Sequence, residues 1–298
     1  MENIQTKHIF AVLGGDLRQR TVADLLVKSG NRVKTFGVCG ESISGAEMCK
    51  CAERAIEGSD VMILPLPVSR DNINLSLADA CFSRVSLEEL VKLAQKHRVS
   101  TILGGMIPEN AITVAENNGI RVIDYYKSET LQEKNALPSA EGALMVAMEN
   151  TDITVFGMRT LVCGFGRIGK KLAYILKRLG ASVTVAARRD EVICEATMCG
   201  YGTLKIESDL LVKTEFDVIF NTVPAIIFTA NALCKLIGNP IYIEIASKPG
   251  GVDVVAARDK GMRIINAPSL PGKYSPISAG EYIYETVIET LDAGGDYL

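Results

Sequence analysis

The sequence predicts an α/β fold with two similar domains, each built from a mostly parallel sheet with helices on both faces. Short apolar runs of strand length alternate with amphipathic runs of helix length, a pattern typical of βα units. The plan of residues 9–124 repeats over residues 160–266. A chain of 298 residues is also long enough for two domains of ordinary size. Together these observations predict an internal duplication.

The opening segments of the two copies match closely. The first copy has a strand at 9–13, a turn at 14–16, a helix at 17–29 and a strand at 32–37, and the second has them at 160–163, 164–169, 170–179 and 181–187. Gly14 precedes Val33 by 19 residues, as Gly164 precedes Val183. Later segments match as well: 60–67 with 217–224, 101–104 with 241–246, and 119–124 with 261–266. We therefore expect both domains to follow one plan.

The turn of the second copy, GFGRIG, is a G-x-G-x-x-G placed between a predicted strand and a predicted helix. Gly164 permits the tight turn, Gly166 lets the backbone approach a pyrophosphate, and Gly169 lets helix and strand pack closely. The helix start, with Arg167 and Ile168, supplies free N–H groups and a positive dipole end. The second domain is therefore predicted to be Rossmann-like and to bind a dinucleotide. Further contacts with its ribose and nicotinamide are expected at later strand ends, from Asn221, Thr222, Val223, Pro224 and Ser247.

Two arginines favour NADP over NAD as this dinucleotide. NAD sites place an acidic residue roughly 20 residues beyond the glycines, where it accepts the ribose hydroxyls. Here that place holds Ala187, Arg188 and Arg189. Paired guanidinium groups can bind the 2′-phosphate of NADP. The alternative is that both arginines are solvated in a loop, so NAD stays possible.

The first domain lacks the glycine motif and is predicted to bind substrate instead. On the glycine alignment Asp16 stands in place of Gly166, and a carboxylate there opposes a phosphate. Asp16 and Arg18 are expected at the carboxyl end of the sheet, where α/β folds bind ligands. The alternative is that Asp16 caps the helix and Arg18 is solvated. Arg70, after a later strand, either binds an anionic substrate or faces water.

A helix over residues 135–151 is expected to connect the two halves. Pro138 suits a first helical turn, and Glu141 either complements the dipole of the helix start or acts as an acid or base.

A turn-rich loop at 267–276 carries Lys273 and Tyr274, and Ser275 is placed to cap the last helix, 277–291. We expect that helix to return to the first domain.

Composition indicates a globular protein that acts on small molecules. Hydrophobic residues make up 48% and charged residues 22%, the net charge is −3, and no basic cluster suggests nucleic acid or an anionic membrane. No signal peptide or membrane-spanning run is recognisable, so a cytoplasmic protein is expected. The 8 cysteines lack paired zinc spacing, and His8 and His97 lie far from the expected ligand edges, so no metal site is predicted.

Several stretches match one family in order along nearly the whole chain. They are GGDLRQ at 14–19, LPLPVS at 64–69, NALPSAEGA at 135–143, GFGRIG at 164–169 and LPGKYSP at 270–276. The chain resembles the A subunit of dipicolinate synthase from spore-forming bacteria. Ser139 is a small departure, since the family usually has threonine there.

The resemblance implies oxidation of a dihydrodipicolinate-type intermediate to dipicolinate, pyridine-2,6-dicarboxylate, on a branch of the lysine and diaminopimelate pathway. It also implies a mother-cell cytoplasmic location during sporulation. The partner that it implies is the B subunit of dipicolinate synthase.

For this chemistry we expect the residues to divide into roles. A substrate with two carboxylates needs cations or N–H donors at both ends, and Arg18 and Lys273 are the first choices. The candidates for proton transfer are Asp16, Glu141 and Tyr274, which stay unranked. The whole expected substrate-binding set is Gly15, Arg18, Arg70, Ser139, Lys273 and Ser275.

The substrate domain is expected at 1–140 with 276–298 and the cofactor domain at 151–275, with a cleft between them. Whether the chain forms a homo-oligomer is left open. Two other functions also stay open. One is a dehydrogenase for another small anionic metabolite, although no histidine lies at a ligand edge. The other is a nucleotide-binding subunit that leaves the chemistry to its partner.

Overall fold

A computed structural model describes residues 8–79, 82–207, 210 and 214–294. The chain divides into two compact units, the first formed by Met1–Asn135 with Ser275–Leu298 and the second by Ala136–Tyr274. The expected domains were 1–140 with 276–298 and 151–275, so the ends of the units agree to within 5 residues except that the second unit begins at 136, 15 residues before the expected start.

The elements follow the chain in alternating order. The first part contains β1 (Ile9–Leu13), α1 (Leu17–Lys28), β2 (Arg32–Phe36), β3 (Ala46–Met48), α2 (Ala52–Ile56), β4 (Val61–Ile63), α3 (Leu87–Lys96), β5 (Thr101–Gly104), α4 (Glu109–Asn117), β6 (Arg121–Asp124), a 3-10 turn (Tyr125–Lys127) and α5 (Glu129–Asn150). The second contains β7 (Arg159–Cys163), α6 (Arg167–Arg178), β8 (Ser182–Ala187), α7 (Asp190–Met198), β9 (Gly202–Lys205), β10 (Val218–Asn221), α8 (Ala230–Lys235), β11 (Ile241–Glu244), α9 (Val254–Asp259), β12 (Ile264–Asn266), α10 (Leu270–Tyr274) and α11 (Pro276–Asp292).

Each unit has a six-stranded parallel sheet with the same strand order. The orders are β3-β2-β1-β4-β5-β6 in the first unit and β9-β8-β7-β10-β11-β12 in the second. The register of the first strand pair is also the same in both sheets. Ile9 of β1 pairs with Arg32 of β2, and Arg159 of β7 pairs with Ser182 of β8, so the paired residues are equally far apart in sequence. The predicted pair of Rossmann-like domains on one plan is confirmed.

The last helix, α11, belongs to the first unit, as expected. Ile283 and Val287 of α11 are buried in the same apolar cluster as Val22 and Leu26 of α1. Burial of such a side chain contributes about 1.5–3 kcal/mol. The two helices pack closely because Gly280 has no side chain, and a Cβ there would lie 2.7 Å from the carbonyl oxygen of Arg18.

The connecting helix starts earlier than the sequence suggested. α5 begins at Glu129, where the Ser128 hydroxyl accepts a hydrogen bond from the Leu131 N–H at 3.2 Å. Pro138 therefore lies inside the helix and not in its first turn. The prediction that Glu141 complements the dipole of a helix start is wrong, because Glu141 lies about three turns inside α5. The cap of Ser128 was the missed signal.

None of the helices in the described ranges is long and apolar enough to cross a membrane. Those same ranges hold no group of three or more His, Cys, Asp and Glu side chains that could bind a metal ion.

Candidate functional site

The glycine turn between β7 and α6 has the geometry of a phosphate cradle. Gly164 adopts a φ of +92°, and a Cβ there would lie 2.4 Å from the Thr222 hydroxyl. A Cβ on Gly169 would lie 2.1 Å from the Gly164 carbonyl oxygen. These two positions accept glycine only, because a side chain would overlap neighbouring atoms.

Gly166, the N-cap residue of α6, leaves space for a ligand. No heavy atom of a described residue lies within 4 Å of the Cβ that could be added there, and Gly166 has no side chain that could cap the helix. The N–H groups of Ile168 and Gly169 therefore meet no N-cap side chain, and the positive end of the helix dipole lies at the same place. Arg167 and Ile168 begin the helix and are partly buried. The residues present fit the pyrophosphate of a dinucleotide.

The same turn in the first unit is closed by a side chain. Its backbone matches, since Asp16 has φ −90° and ψ −162° where Gly166 has −87° and −160°. The Asp16 carboxylate, however, accepts the Arg18 N–H at 3.0 Å and caps α1. The Gly15 N–H donates to the Ser76 carbonyl at 2.8 Å, so another segment also covers this turn. A phosphate seated on the start of α1, as expected on α6, is therefore excluded by the Asp16 carboxylate and by the loss of the Arg18 N–H.

Asp16 and Arg18 form an ion pair in which only the arginine is buried, and this corrects one of the alternatives. Asp16 does cap the helix, but Arg18 is only 7% exposed and is not solvated. Its Nε and Nη2 donate to the Asp16 carboxylate at 2.8–3.2 Å, and Nη2 donates to the Leu66 carbonyl at 2.6 Å. In the part of the chain that the structure describes, Nη1 has no hydrogen-bond partner.

The charges around Asp16 make it a poor base. Burial raises the pKa of Asp16, but the hydrogen bonds and charge of Arg18 outweigh it, with a smaller share from Arg70, and the pKa is lowered from 3.8. A carboxylate with a lowered pKa takes up a proton reluctantly near neutral pH.

Arg70 lies beside this pair on an ordered turn. Asp71 organises the turn by accepting hydrogen bonds from the Ser69 hydroxyl, the Ile73 N–H and two groups of Asn74 at 2.7–3.0 Å. These hydrogen bonds hold the pKa of Asp71 far below its ordinary value. The Arg70 side chain is exposed and makes no hydrogen bond or ion pair with a described residue.

The two arginines expected at a 2′-phosphate follow β8 at its carboxyl end. Arg188 and Arg189 are exposed, and Arg189 is the N-cap residue of α7. Neither forms an ion pair within the described ranges, whereas the neighbouring Asp190 pairs with Lys205. Both guanidinium groups are therefore free to meet an anion.

Two of the expected strand-end residues, Asn221 and Val223, belong to a polar network that also contains a residue not expected from the sequence. Asn221 is fully buried and donates to the Val223 carbonyl at 2.9 Å and to the Glu244 carboxylate at 2.7 Å. The Thr222 hydroxyl donates to the Cys163 carbonyl at 2.8 Å. Asn221 thus positions the turn, and a direct contact with the cofactor stays a prediction. Pro224 and Ser247 are exposed at this edge.

Glu244, at the end of β11, is that missed residue. It is 8% exposed and accepts four hydrogen bonds, from Asn221 Nδ2, the Ala246 and Gly251 N–H groups and the Tyr242 hydroxyl. A lone acid ending the apolar run Ile241–Glu244 was the available signal. Four donors compensate the burial of one carboxylate.

Lys273 and Tyr274 meet a partner on α5. Lys273 Nζ donates to the Tyr274 hydroxyl at 2.8 Å, and this hydroxyl donates to Glu149 at 2.9 Å. Glu149 precedes Asn150, whose carbonyl accepts from Arg263, just before the start of β12. The cluster therefore joins α10 to the last turns of α5.

The remaining expected residues lie in α5 and at the start of α11. Ser139 is buried and has an interaction partner, whereas Glu141 is exposed. Ser275 is the N-cap residue of α11, but its side chain makes no capping hydrogen bond, contrary to expectation.

Comparison with known proteins divides the chain at the same place. Residues 9–126 match the N-terminal domain of the dipicolinate synthase A subunit, and residues 139–270 match the NAD-binding domain of S-adenosyl-L-homocysteine hydrolase. The chain is 26% identical over 288 residues to the A subunit of dipicolinate synthase from Bacillus subtilis, covering 94% of this chain and 95% of that protein. The expected resemblance to this kind of subunit is confirmed.

Solved structures with the same fold include two proteins of that kind. The dipicolinate synthase protein from Bacillus halodurans has a TM-score of 0.83 at 24% identity, covering 96% of this chain and 97% of its own. That from Bacillus subtilis has a TM-score of 0.82 at 24% identity, covering 98% of both chains. With its NAD-binding domain, the chain has the architecture of an NAD(P)-dependent oxidoreductase.

Proposed function

We propose that this chain oxidises a dihydrodipicolinate-type intermediate to dipicolinate, with NADP as hydride acceptor. The observation that carries the proposal is the uncapped start of α6 above Gly166, in a chain similar to the A subunit of dipicolinate synthase along nearly its whole length. We further propose that it works with the B subunit of dipicolinate synthase, in the mother-cell cytoplasm during sporulation.

The cofactor would be held by residues of the second unit. The N–H groups at the start of α6 would bind its pyrophosphate, and Arg188 and Arg189 would bind the 2′-phosphate of NADP. The oxidised nicotinamide supplies a hydride acceptor when bound. Asn221 and Glu244 hold the neighbouring turn in place. The Asn221 amide donates to Glu244 and to the Val223 carbonyl, so this amide would not bind the ligand.

The substrate would be held by residues of the first unit. Arg18 Nη1 has no partner among the described residues, and the exposed Arg70 is near enough to Asp16 to lower its pKa, so the two cations would bind one carboxylate of the substrate. Gly15 is buried and its N–H already donates to the Ser76 carbonyl, so its N–H is not free for the substrate. The role of Lys273 at the second carboxylate stays a prediction.

Proton transfer would need little from the protein. Oxidation of a dihydropyridine removes one hydride and one proton. The proton is lost readily because its loss completes an aromatic ring. Asp16 is held by Arg18 and Tyr274 donates to Glu149, so neither offers a free base. The enzyme would then act largely by orienting the ring toward the hydride acceptor.

The test is dipicolinate formation from freshly generated pathway intermediate, with purified chain, NADP or NAD, and the B subunit present or absent. We expect turnover with NADP that Gly166→Asp abolishes. If turnover needs both proteins, part of the chemistry belongs to the complex of the two subunits. If NADP is reduced only by another hydroxy acid or amino acid, the proposed substrate is refuted.

A further inference from the structure

We infer that a cavity in the first unit, lined by Arg70 and Arg84, binds a carboxylate of a small aromatic or cyclic dicarboxylate. The inference rests on the proposed function and names its substrate site. The cavity has a volume of about 380 Å³, within the range of small-molecule sites.

Its position in the fold is that of a ligand site. Ser76 and Ala78 lie over the ends of β1 and β2, because the Gly15 N–H donates to the Ser76 carbonyl at 2.8 Å and the Ala78 N–H donates to the Gly37 carbonyl at 3.2 Å. Gly15 follows β1 and Gly37 follows β2. The carboxyl edge of a parallel sheet at these strands is where α/β folds bind ligands.

The charges of the cavity leave its two cations available. Arg70 and Arg84 make no hydrogen bond or ion pair with any residue in the described ranges. The carboxylates that line the same cavity are occupied, since Asp71 accepts four hydrogen bonds within its own turn and Asp79 has a partner of its own. The free donors therefore favour a bound anion.

A buried hydroxyl independently indicates a ligand. The Ser76 Oγ is inaccessible to solvent and has no hydrogen-bond partner, and among the described residues it is alone in this. Ser76 lines the cavity. A buried polar group without a partner costs free energy unless something else supplies one. On ligand binding we expect the Ser76 side chain to turn about χ1 toward the cavity, where its hydroxyl would donate to a carboxylate or ring nitrogen of the ligand.

The apolar part of the lining suits a ring. Leu75, Leu77 and Phe82 contribute it. Phe82 makes an edge-on contact with Phe36 of β2, with ring centroids 5.8 Å apart. A cavity that combines apolar side chains with guanidinium groups favours a ring that carries carboxylates over a phosphate ion.

The experiment measures binding of dipicolinate, picolinate, isophthalate and inorganic phosphate to the full chain by isothermal titration. Variants are Arg70→Gln, Arg84→Gln and Ser76→Ala, with Arg121→Gln as control because Arg121 is exposed on β6. We expect each arginine variant to raise the Kd of dipicolinate by about 10-fold or more, and Arg121→Gln to bind like the parent. Ser76→Ala should weaken binding while leaving the Tm equal or higher, because the hydroxyl has no partner to lose.

NADP affinity, measured on the same variants, should stay at the parent value. Dipicolinate binding that is unchanged in both arginine variants would overturn the cavity as the site but leave the proposed function standing. If the parent binds isophthalate through the two arginines but does not bind dipicolinate, the cavity is supported as a dicarboxylate site and the proposed function is refuted. Equal affinity for phosphate would refute selection of a dicarboxylate.

Discussion

Replacing Gly166 by aspartate would copy the first unit's Asp16 into the second unit. The two N-cap residues have nearly the same backbone angles, φ −90° and ψ −162° against φ −87° and ψ −160°. The added Cβ meets no heavy atom within 4 Å. The new carboxylate would therefore cap α6 as Asp16 caps α1, and the fold should be retained.

The change should act in opposite directions on stability and on affinity. A side-chain cap in place of glycine stabilises a helix by only a few tenths of a kcal/mol. A carboxylate about 4 Å from a phosphate charge costs about 4 kcal/mol at an effective dielectric constant of about 20. That cost corresponds to a loss of about 1,000-fold in dinucleotide affinity.

The assay is titration of NADPH into the parent, Gly166→Asp and Gly166→Ala, with the Tm of each. Alanine adds the Cβ without the charge, so it should retain most of the affinity. Near-parent NADPH affinity in Gly166→Asp, with an unchanged Tm, would refute the pyrophosphate position. Equal losses in the two variants would show that space and not charge decides binding there.

Three further predictions concern the cofactor, the buried acid and pH. Arg188→Ala with Arg189→Ala should raise the Kd of NADP about 10-fold or more and change that of NAD little; equal losses in titration would contradict the arginine argument. Glu244→Gln should lower the free energy of unfolding by about 1–3 kcal/mol, because the amide group faces hydrogen-bond donors; urea unfolding should show no such loss for the exposed Glu191→Gln. Asp16→Asn should be less stable than the parent above about pH 4, because the folded chain lowers the pKa of Asp16 below 3.8. That difference should vanish in urea unfolding as the pH falls through the lowered pKa, and a difference independent of pH would contradict the assignment.

Much of the fold was predictable because its signals are local. The apolar run before Gly164 and the stripe after Gly169 lie within one strand and one helix, and the same spacing recurs from Gly14 onward. Local signals failed where two of them competed. Pro138 suggested a helix start, but the cap at Ser128 begins α5 earlier, and the helix continues through the proline.

The candidate site was predictable only in part, because several of its contacts join residues far apart in the chain. Arg18 was recognised at the ligand edge, but its bond to the Leu66 carbonyl, 48 residues away, buries it. Lys273 and Tyr274 were recognised as a cation and a phenol, yet Tyr274 donates to Glu149, 125 residues away. Sequence spacing carries no information on such pairs.

The sequence by itself determined the repeated plan of strands and helices, the glycine cradle and the absence of that cradle in the first copy. These follow from backbone geometry and apolar periodicity over a few residues. Only the tertiary structure decided which polar groups are occupied and which stay free. It binds Asp16 to Arg18 and Asn221 to Glu244, and it leaves the Ser76 hydroxyl buried without a partner, because burial and hydrogen bonding depend on segments that meet only after folding.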